Sequence, residues 1–349
     1  MLFSFFLFAL GLVFLIAGAH FLVDGAICLA KILKISPLLI GLTVVSLGTS
    51  APEIAFSTIS ALQGQSDLVM GNILGSNIVN ILLILGIAAT ISSIRISKKL
   101  IIVDVPILIG LTLLYWFFGW LGTIGRVLGI LLCALLVLYI VFAYWLEKNG
   151  QQKKETPASK KRWQIQLLLF IVGAFFLAMG SEWLIKSSLN IASLFGVSPL
   201  FISLTLVSIS TSLPELVTSI MAIIKKQKEL AVGNIIGSNI FNLLAVGGFA
   251  ALVAPEPIVI SKNAMQFDIP VMIATSVACL PIFLSGHIIS RFEGILFLCY
   301  YLFYLAYLIV TSINILTLPL FQSALWLFII PLTLFALIVI LYRRIRNKV

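Results

Sequence analysis

Charge is what this chain has least of. Only 10% of its 349 residues are charged and 61% are hydrophobic, with a mean hydropathy of +1.21, so a soluble fold is excluded. Histidine occurs twice, which leaves no basis for a histidine-built metal site. The four cysteines, Cys28, Cys133, Cys279 and Cys299, stand singly in apolar segments without CxxC spacing, so neither a disulfide framework nor a cysteine metal site is indicated. No basic residue precedes Lys31, and the first apolar stretch is too long for a signal peptide core; it is expected to be a retained helix. Hydrophilic linkers are also missing, with one exception at residues 147–163, which carries Lys148, Lys153, Lys154, Lys160, Lys161 and Arg162. That linker has too few acids for calcium sensing.

What remains is a series of long apolar runs, each sufficient to cross a hydrocarbon layer of about 30 Å as a helix. They are continuous rather than alternating, which selects helices over strands. Eleven spans are predicted, at about residues 3–30, 37–62, 68–92, 100–120, 124–146, 166–192, 199–224, 230–254, 264–285, 292–313 and 322–342. With eleven spans, all but three of the 22 Lys and Arg fall on the side opposite the N-terminus. The exceptions are Arg126, Lys262 and the intramembrane Lys186. This asymmetry predicts an outside N-terminus and a cytoplasmic linker and tail. The net charge of +10 then needs no nucleic-acid partner; anionic membrane lipid is partner enough.

The chain also repeats itself. Residues 41–53, GLTVVSLGTSAPE, return at 203–215 as SLTLVSISTSLPE, an offset of 162. At the same offset GNILGSNIVN (71–80) returns as GNIIGSNIFN (233–242), Ser36 and Pro37 as Ser198 and Pro199, and Gly11 and Gly18 as Gly173 and Gly180. After small length changes, Asp104 and Pro106 correspond to Asp268 and Pro270, and Arg126 and Gly129 to Arg291 and Gly294. Each copy covers five spans, and an odd number inserts the second copy upside down, as in transporters whose substrate site lies near the bilayer midplane. The expected fold is all-α and membrane-embedded: a ten-helix core of two inverted five-helix repeats (1–146 and 164–315), then an accessory eleventh helix and basic tail (316–349).

Small residues at Gly71 and Gly75 are explained by helix packing. Glu53 and Glu215 are not, because a carboxylate deep in a membrane costs at least about 2.5–3.5 kcal/mol on insertion scales and marks an ion pathway by default. Thr49 and Ser50 precede Glu53 on the same helical face, as Thr211 and Ser212 precede Glu215. Pro52 and Pro214 lack the N–H that would bond the carbonyls of Gly48 and Ser210, so each helix is expected to expose backbone oxygen beside its carboxylate. Ser76 and Asn80, and Ser238 and Asn242, add hydroxyl and amide oxygens. An oxygen-only donor set suits calcium or sodium and disfavours zinc or copper. Two carboxylates balance one calcium; without a cation they repel each other and resist desolvation, which makes proton occupancy physically accessible. On the residues alone, sodium and protons both qualify as the exchanged ion. A hydrolase is disfavoured because no His or Lys base accompanies Ser50 or Ser212, so no enzymatic activity is expected.

The paired GTSAPE and STSLPE segments, each followed by GNxxGSN, resemble the two alpha-repeats of the calcium/cation antiporter superfamily, especially its prokaryotic sodium/calcium exchanger branch. The resemblance spans about residues 1–315. It implies a prokaryotic plasma (inner) membrane protein exchanging Ca2+ for Na+, with a Ca2+/H+ antiporter as the alternative. It needs no cofactor, and a monomer suffices for it. The ligands it implies are Thr49, Ser50, Glu53, the Ser46 carbonyl, Ser76 and Asn80 from one half. From the other come Thr211, Ser212, Glu215, the Ser208 carbonyl, Ser238 and Asn242. Asn242 stands where potassium-dependent relatives carry Asp, which argues against potassium cotransport.

Other polar residues receive structural readings. Asp104 and Asp268, each two residues before a proline, are expected to cap helix starts. His20 and Asp24 align with Glu182 and Lys186 and are expected to pair or to snorkel. The tyrosines and neighbours at 115–117 and at 300, 301 and 304 are expected at the interface or facing lipid.

Overall fold

The computed structural model describes residues 2–150, 163–194, 209–284, 286–312, 334 and 338. Its helices are α1 (Leu2–Leu33), α2 (Pro37–Thr49), α3 (Ala51–Leu62), α4 (Ser66–Ile91), α5 (Leu100–Leu121), α6 (Arg126–Gly150), α7 (Trp163–Leu194), α8 (Leu213–Ile224), α9 (Lys228–Val253), α10 (Ala264–Leu284) and α11 (Arg291–Ser312). Eight of these are long and apolar enough to cross a membrane, and the bent pair α2–α3 makes a ninth. The chain is thus an all-helical integral membrane protein. Residues 199–208 of the expected span 199–224, and all of span 322–342 except residues 334 and 338, lie outside the described residues.

The helices carry π-helical turns at Gly41–Val45, Val79–Leu85, Leu100–Asp104, Asn242–Val246 and Ala264–Asp268. A π-turn widens the ladder by one residue and often accompanies a functional site. Two short antiparallel strand pairs tie loops together: β1 (Ile94–Arg95) with β4 (Ile288–Ile289), and β2 (Thr123–Ile124) with β3 (Ile258–Val259).

Contacts sort the loops into two ends. At one end, β1 meets β4, Glu147 accepts the Ser36 N–H at 2.8 Å and binds Lys99 at 2.9 Å, and Lys228 reaches the Ser93 carbonyl. At the other, β2 meets β3, the Val259 N–H bonds Ser66 Oγ, and Arg126 bonds the Ala254 carbonyl. Lys99, Lys225, Lys228 and Arg291 belong to the first end, the side on which the sequence collects its positive charge.

Close packing depends on glycine at several helix seams, and two of them frame the centre of the fold. A Cβ added at Gly18 would lie 2.8 Å from the Gly173 carbonyl oxygen, and one at Gly180 2.8 Å from that of Gly11, so α1 and α7 run antiparallel with backbones touching. A Cβ at Gly233 would lie 2.6 Å from the Leu38 carbonyl and one at Gly41 2.7 Å from that of Leu230, which brings α2 against α9. Between bilayer helices, where no hydrophobic drive distinguishes protein from lipid, such small-residue contact supplies the attraction. Gly71 has no described atom within 4 Å of an added Cβ; of the segment matching α2 by the 162 offset, residues 199–208 lie outside the described residues.

Two expectations are corrected. Asp104 and Asp268 cap nothing: each ends a π-turn inside a continuing helix, and each accepts a tyrosine hydroxyl at 3.1 Å, from Tyr139 and Tyr304 respectively. A buried carboxylate needs that donor more than the helix needs a cap. Tyr115, Tyr300, Tyr301 and Tyr304 are buried rather than lipid-facing, and Tyr115 donates to the Leu243 carbonyl at 2.7 Å; Trp116 and Phe117 are exposed as expected. α6 runs through Gly150, with Glu147 bonded to Ser36 and Lys99, and α7 starts at Trp163; residues 151–162 lie outside the described set. His20 pairs with Asp24 and Lys186 with Glu182, each within its own helix, while Asp24 also binds Lys225 at 2.6 Å.

Candidate cation site

The α2–α3 pair bends by 45° at Ser50, two residues before Pro52. Ser50 leaves helical geometry (φ −82°, ψ 5°), and Ser212, before Pro214, has nearly the same values (φ −86°, ψ 7°). Both breaks follow from proline's missing N–H. Each starts a new helix with a glutamate in its first turn, where the helix dipole favours negative charge. Against these breaks pack α4 and α9, the most deeply buried of the described long helices.

Glu53 and Glu215 are both fully buried and interact electrostatically with each other. Each is hydrogen-bonded by the serine that precedes the other: Ser50 Oγ donates to Glu215 Oε1 at 3.0 Å, and Ser212 Oγ to Glu53 Oε1 at 3.4 Å. The second oxygen of each, Oε2, is buried with no hydrogen-bond partner among the described residues. Leaving a carboxylate oxygen dry and unpaired is expensive, and a coordinated cation is one way to offset it. Around the carboxylates, Thr49 Oγ1 lies 3.3 Å from Ser238 Oγ, and Thr211 Oγ1 lies 3.4 Å from Ser76 Oγ. Hydroxyls of one half therefore meet hydroxyls of the other at matching positions.

Asn80 and Asn242 are buried but bond to no member of this set. Asn80 Nδ2 donates to Asn239 Oδ1 at 3.0 Å, leaving its own Oδ1 without a partner, and neither polar atom of Asn242 has one among the described residues. The Ser46 carbonyl already accepts the Ser50 N–H at 2.9 Å and lies 3.4 Å from Thr49 Oγ1, while the Ser46 hydroxyl bonds the carbonyls of Gly41 and Asn234. Ser208 lies outside the described residues. One expected freed carbonyl is already taken: Ser181 Oγ of α7 donates to Ser210 O at 2.7 Å, so that oxygen serves helix packing.

Asn72 and Asn234 were not among the residues singled out from sequence. Asn72 Nδ2 bonds Ser57 Oγ at 2.9 Å and the Glu53 carbonyl at 3.3 Å; Asn234 Nδ2 bonds Ser219 Oγ at 3.1 Å and the Glu215 carbonyl at 3.4 Å. Their signal was present, since both sit second in the repeated GNxxGSN stretch, and Ser57 and Ser219 share the same offset.

The family described as sodium/calcium exchanger protein matches residues 3–145 and 165–310. The chain belongs to that sodium/calcium exchanger family. Among its relatives, CaxA of Alkalimonas amylolytica, named as an antiporter, is 40% identical over 313 residues, covering 86% of this chain and 97% of CaxA. The sodium/calcium exchanger MaX1 of Methanosarcina acetivorans is 30% identical over 348 residues, covering 88% and 98% respectively. The solved structure of the sodium-calcium exchanger NCX_Mj, soaked with Na+ and Sr2+, superposes with a TM-score of 0.77 at 29% identity, covering 87% of this chain and 97% of that one. These relatives place the chain in the prokaryotic branch of the exchanger family, whose members are transporters and not enzymes.

Proposed function

We propose that this protein is a secondary antiporter exchanging Ca2+ for Na+ at one site containing Glu53 and Glu215. The observation that carries the reading is the reciprocal bonding of two fully buried glutamates, each held by the other's serine and each keeping one oxygen with no partner among the described residues. Two carboxylates neutralise one Ca2+, and the nearby oxygens of Thr49, Ser50, Ser76, Thr211, Ser212 and Ser238 supply the further hard ligands that either cation requires. Asn80 and Asn242 and the carbonyls of Ser46 and Ser208 complete the proposed set. Similarity to proteins named as sodium/calcium exchangers supports the choice of ions.

Alternating access at a midplane site follows if residues 1–146 and 164–315 form inverted repeats, with 316–349 as accessory helix and tail. The antiparallel contact of α1 with its counterpart α7 supports the inversion, as do the matching hydrogen bonds of Asn72 and Asn234. The concentration of basic residues at one end supports an outside N-terminus and a cytoplasmic linker in a prokaryotic plasma membrane. The test is calcium-45 uptake into inside-out vesicles under a sodium gradient or a proton gradient in turn. Sodium-driven uptake is expected; uptake driven by protons alone would make this a Ca2+/H+ antiporter.

A further inference from the structure

Asn72 and Asn234 contact the cation site without belonging to its charged set. Each amide is fixed in orientation, because its Nδ2 faces two acceptors, a serine hydroxyl and the backbone carbonyl of the glutamate in its own half. Turning the amide over would set Oδ1 against that carbonyl, acceptor against acceptor. Oδ1 must therefore face the other way, where a threonine of the opposite half meets it. Thr211 Oγ1 donates to Asn72 Oδ1 at 3.0 Å, and Thr49 Oγ1 to Asn234 Oδ1 at 3.1 Å. These hydroxyls have further polar neighbours: the Ser46 carbonyl and Ser238 Oγ lie 3.4 and 3.3 Å from Thr49, which also stands beside the Glu215 carboxylate, and Ser76 Oγ lies 3.4 Å from Thr211.

A threonine hydroxyl has one proton and two lone pairs. Once the proton is committed to an asparagine, the lone pairs are left for other partners. We infer that Asn72 and Asn234 are positioning residues that hold the hydroxyl protons of Thr211 and Thr49, so that each threonine presents lone pairs to the transported cation. The two halves are crossed: the asparagine of each orients the threonine of the other. This rests on the cation-site reading above and adds to it a pair of residues that act through the ligands.

The test is a set of double-variant cycles on calcium-45 exchange, with the apparent KM for Ca2+ and the saturated rate read separately. Asn72→Ala and Thr211→Val should each raise KM by about 3- to 10-fold, the worth of one buried hydrogen bond, with less effect on the saturated rate. Because one acts through the other, the double variant should be no worse than the more affected single one, and Asn234→Ala with Thr49→Val should behave alike. The pairs Asn72 with Thr49, and Asn234 with Thr211, should instead multiply. If the asparagine variants do not fold, Ser57→Ala and Ser219→Ala release the same amides less severely, and each is expected to couple to Thr211→Val and Thr49→Val respectively. Multiplying effects in the crossed pairs, or coupling in the same-half pairs, overturns the positioning role. Glu53→Gln and Glu215→Gln run in parallel separate the two levels. Exchange surviving in them overturns the site and this inference with it, whereas exchange lost in them alongside multiplying crossed pairs overturns only the inference.

Discussion

Replacing Gly237 with Ala would place a methyl carbon 2.3 Å from Ser46 Oγ and 2.6 Å from the Leu42 carbonyl oxygen. Ordinary contact requires about 3.5 Å, so α2 and α9 would have to separate by roughly 1 Å. The serine can rotate away, but the Leu42 carbonyl is backbone and cannot. Separation stretches three contacts across this seam: Ser46 Oγ to the Asn234 carbonyl at 3.0 Å, Thr49 Oγ1 to Asn234 Oδ1 at 3.1 Å, and Thr49 Oγ1 to Ser238 Oγ at 3.3 Å. Overpacking costs about 1–3 kcal/mol and each of the three weakened contacts about 0.5–1.5 kcal/mol, for a total of roughly 2.5–7.5 kcal/mol. The assay is thermal unfolding of the purified protein in detergent beside calcium-45 exchange in vesicles, with Gly110→Ala as the comparison. An added Cβ at Gly110 meets no described atom within 4 Å, so that variant should be neutral or stabilised by up to about 1 kcal/mol through helix propensity. A Gly237→Ala protein with normal unfolding and normal exchange would refute the claim that close backbone approach builds the site.

Further outcomes follow from the other polar contacts. Tyr139→Phe removes the hydroxyl bonded to buried Asp104 and should cost about 1–3 kcal/mol in unfolding; the loss should shrink in an Asp104→Asn background, where no carboxylate is left needing a donor. Glu147→Ala strips the Ser36 N–H and Lys99 of a shared partner and should lower the unfolding midpoint more than Glu147→Gln, which can still accept from Ser36. Lys225→Gln breaks a contact with Asp24, which is 44% exposed, and should cost no more than about 1 kcal/mol with exchange unchanged.

The described spans were readable because apolar runs announce themselves, and Glu53 and Glu215 stood out because membrane helices rarely contain carboxylates and the same pattern occurs twice. The bend at Ser50 was readable from Pro52. Other features lacked a local signal. A π-turn adds one residue to a helix without changing its composition, so Leu100–Asp104 looked like a helix start and Asp104 like its cap. The partner that explains Asp104, Tyr139, is 35 residues away, and the one that explains Tyr115 is a carbonyl at Leu243 within another π-turn. Ser181 showed no pattern marking it as the acceptor's partner at Ser210. Asn72 and Asn234 lay inside the repeated stretch, but asparagine has several uses, and only the placement of Ser57 and Thr211 around Asn72 fixes which one applies.

The central claim is that Glu53 and Glu215 are two halves of one Ca2+ site, and it is tested most directly by sodium-gradient-driven calcium-45 exchange in vesicles carrying Glu53→Gln or Glu215→Gln at matched protein levels. The account predicts that either change abolishes exchange, since one remaining carboxylate cannot balance a divalent ion in a buried site. Exchange at the unmodified rate in either variant would contradict it.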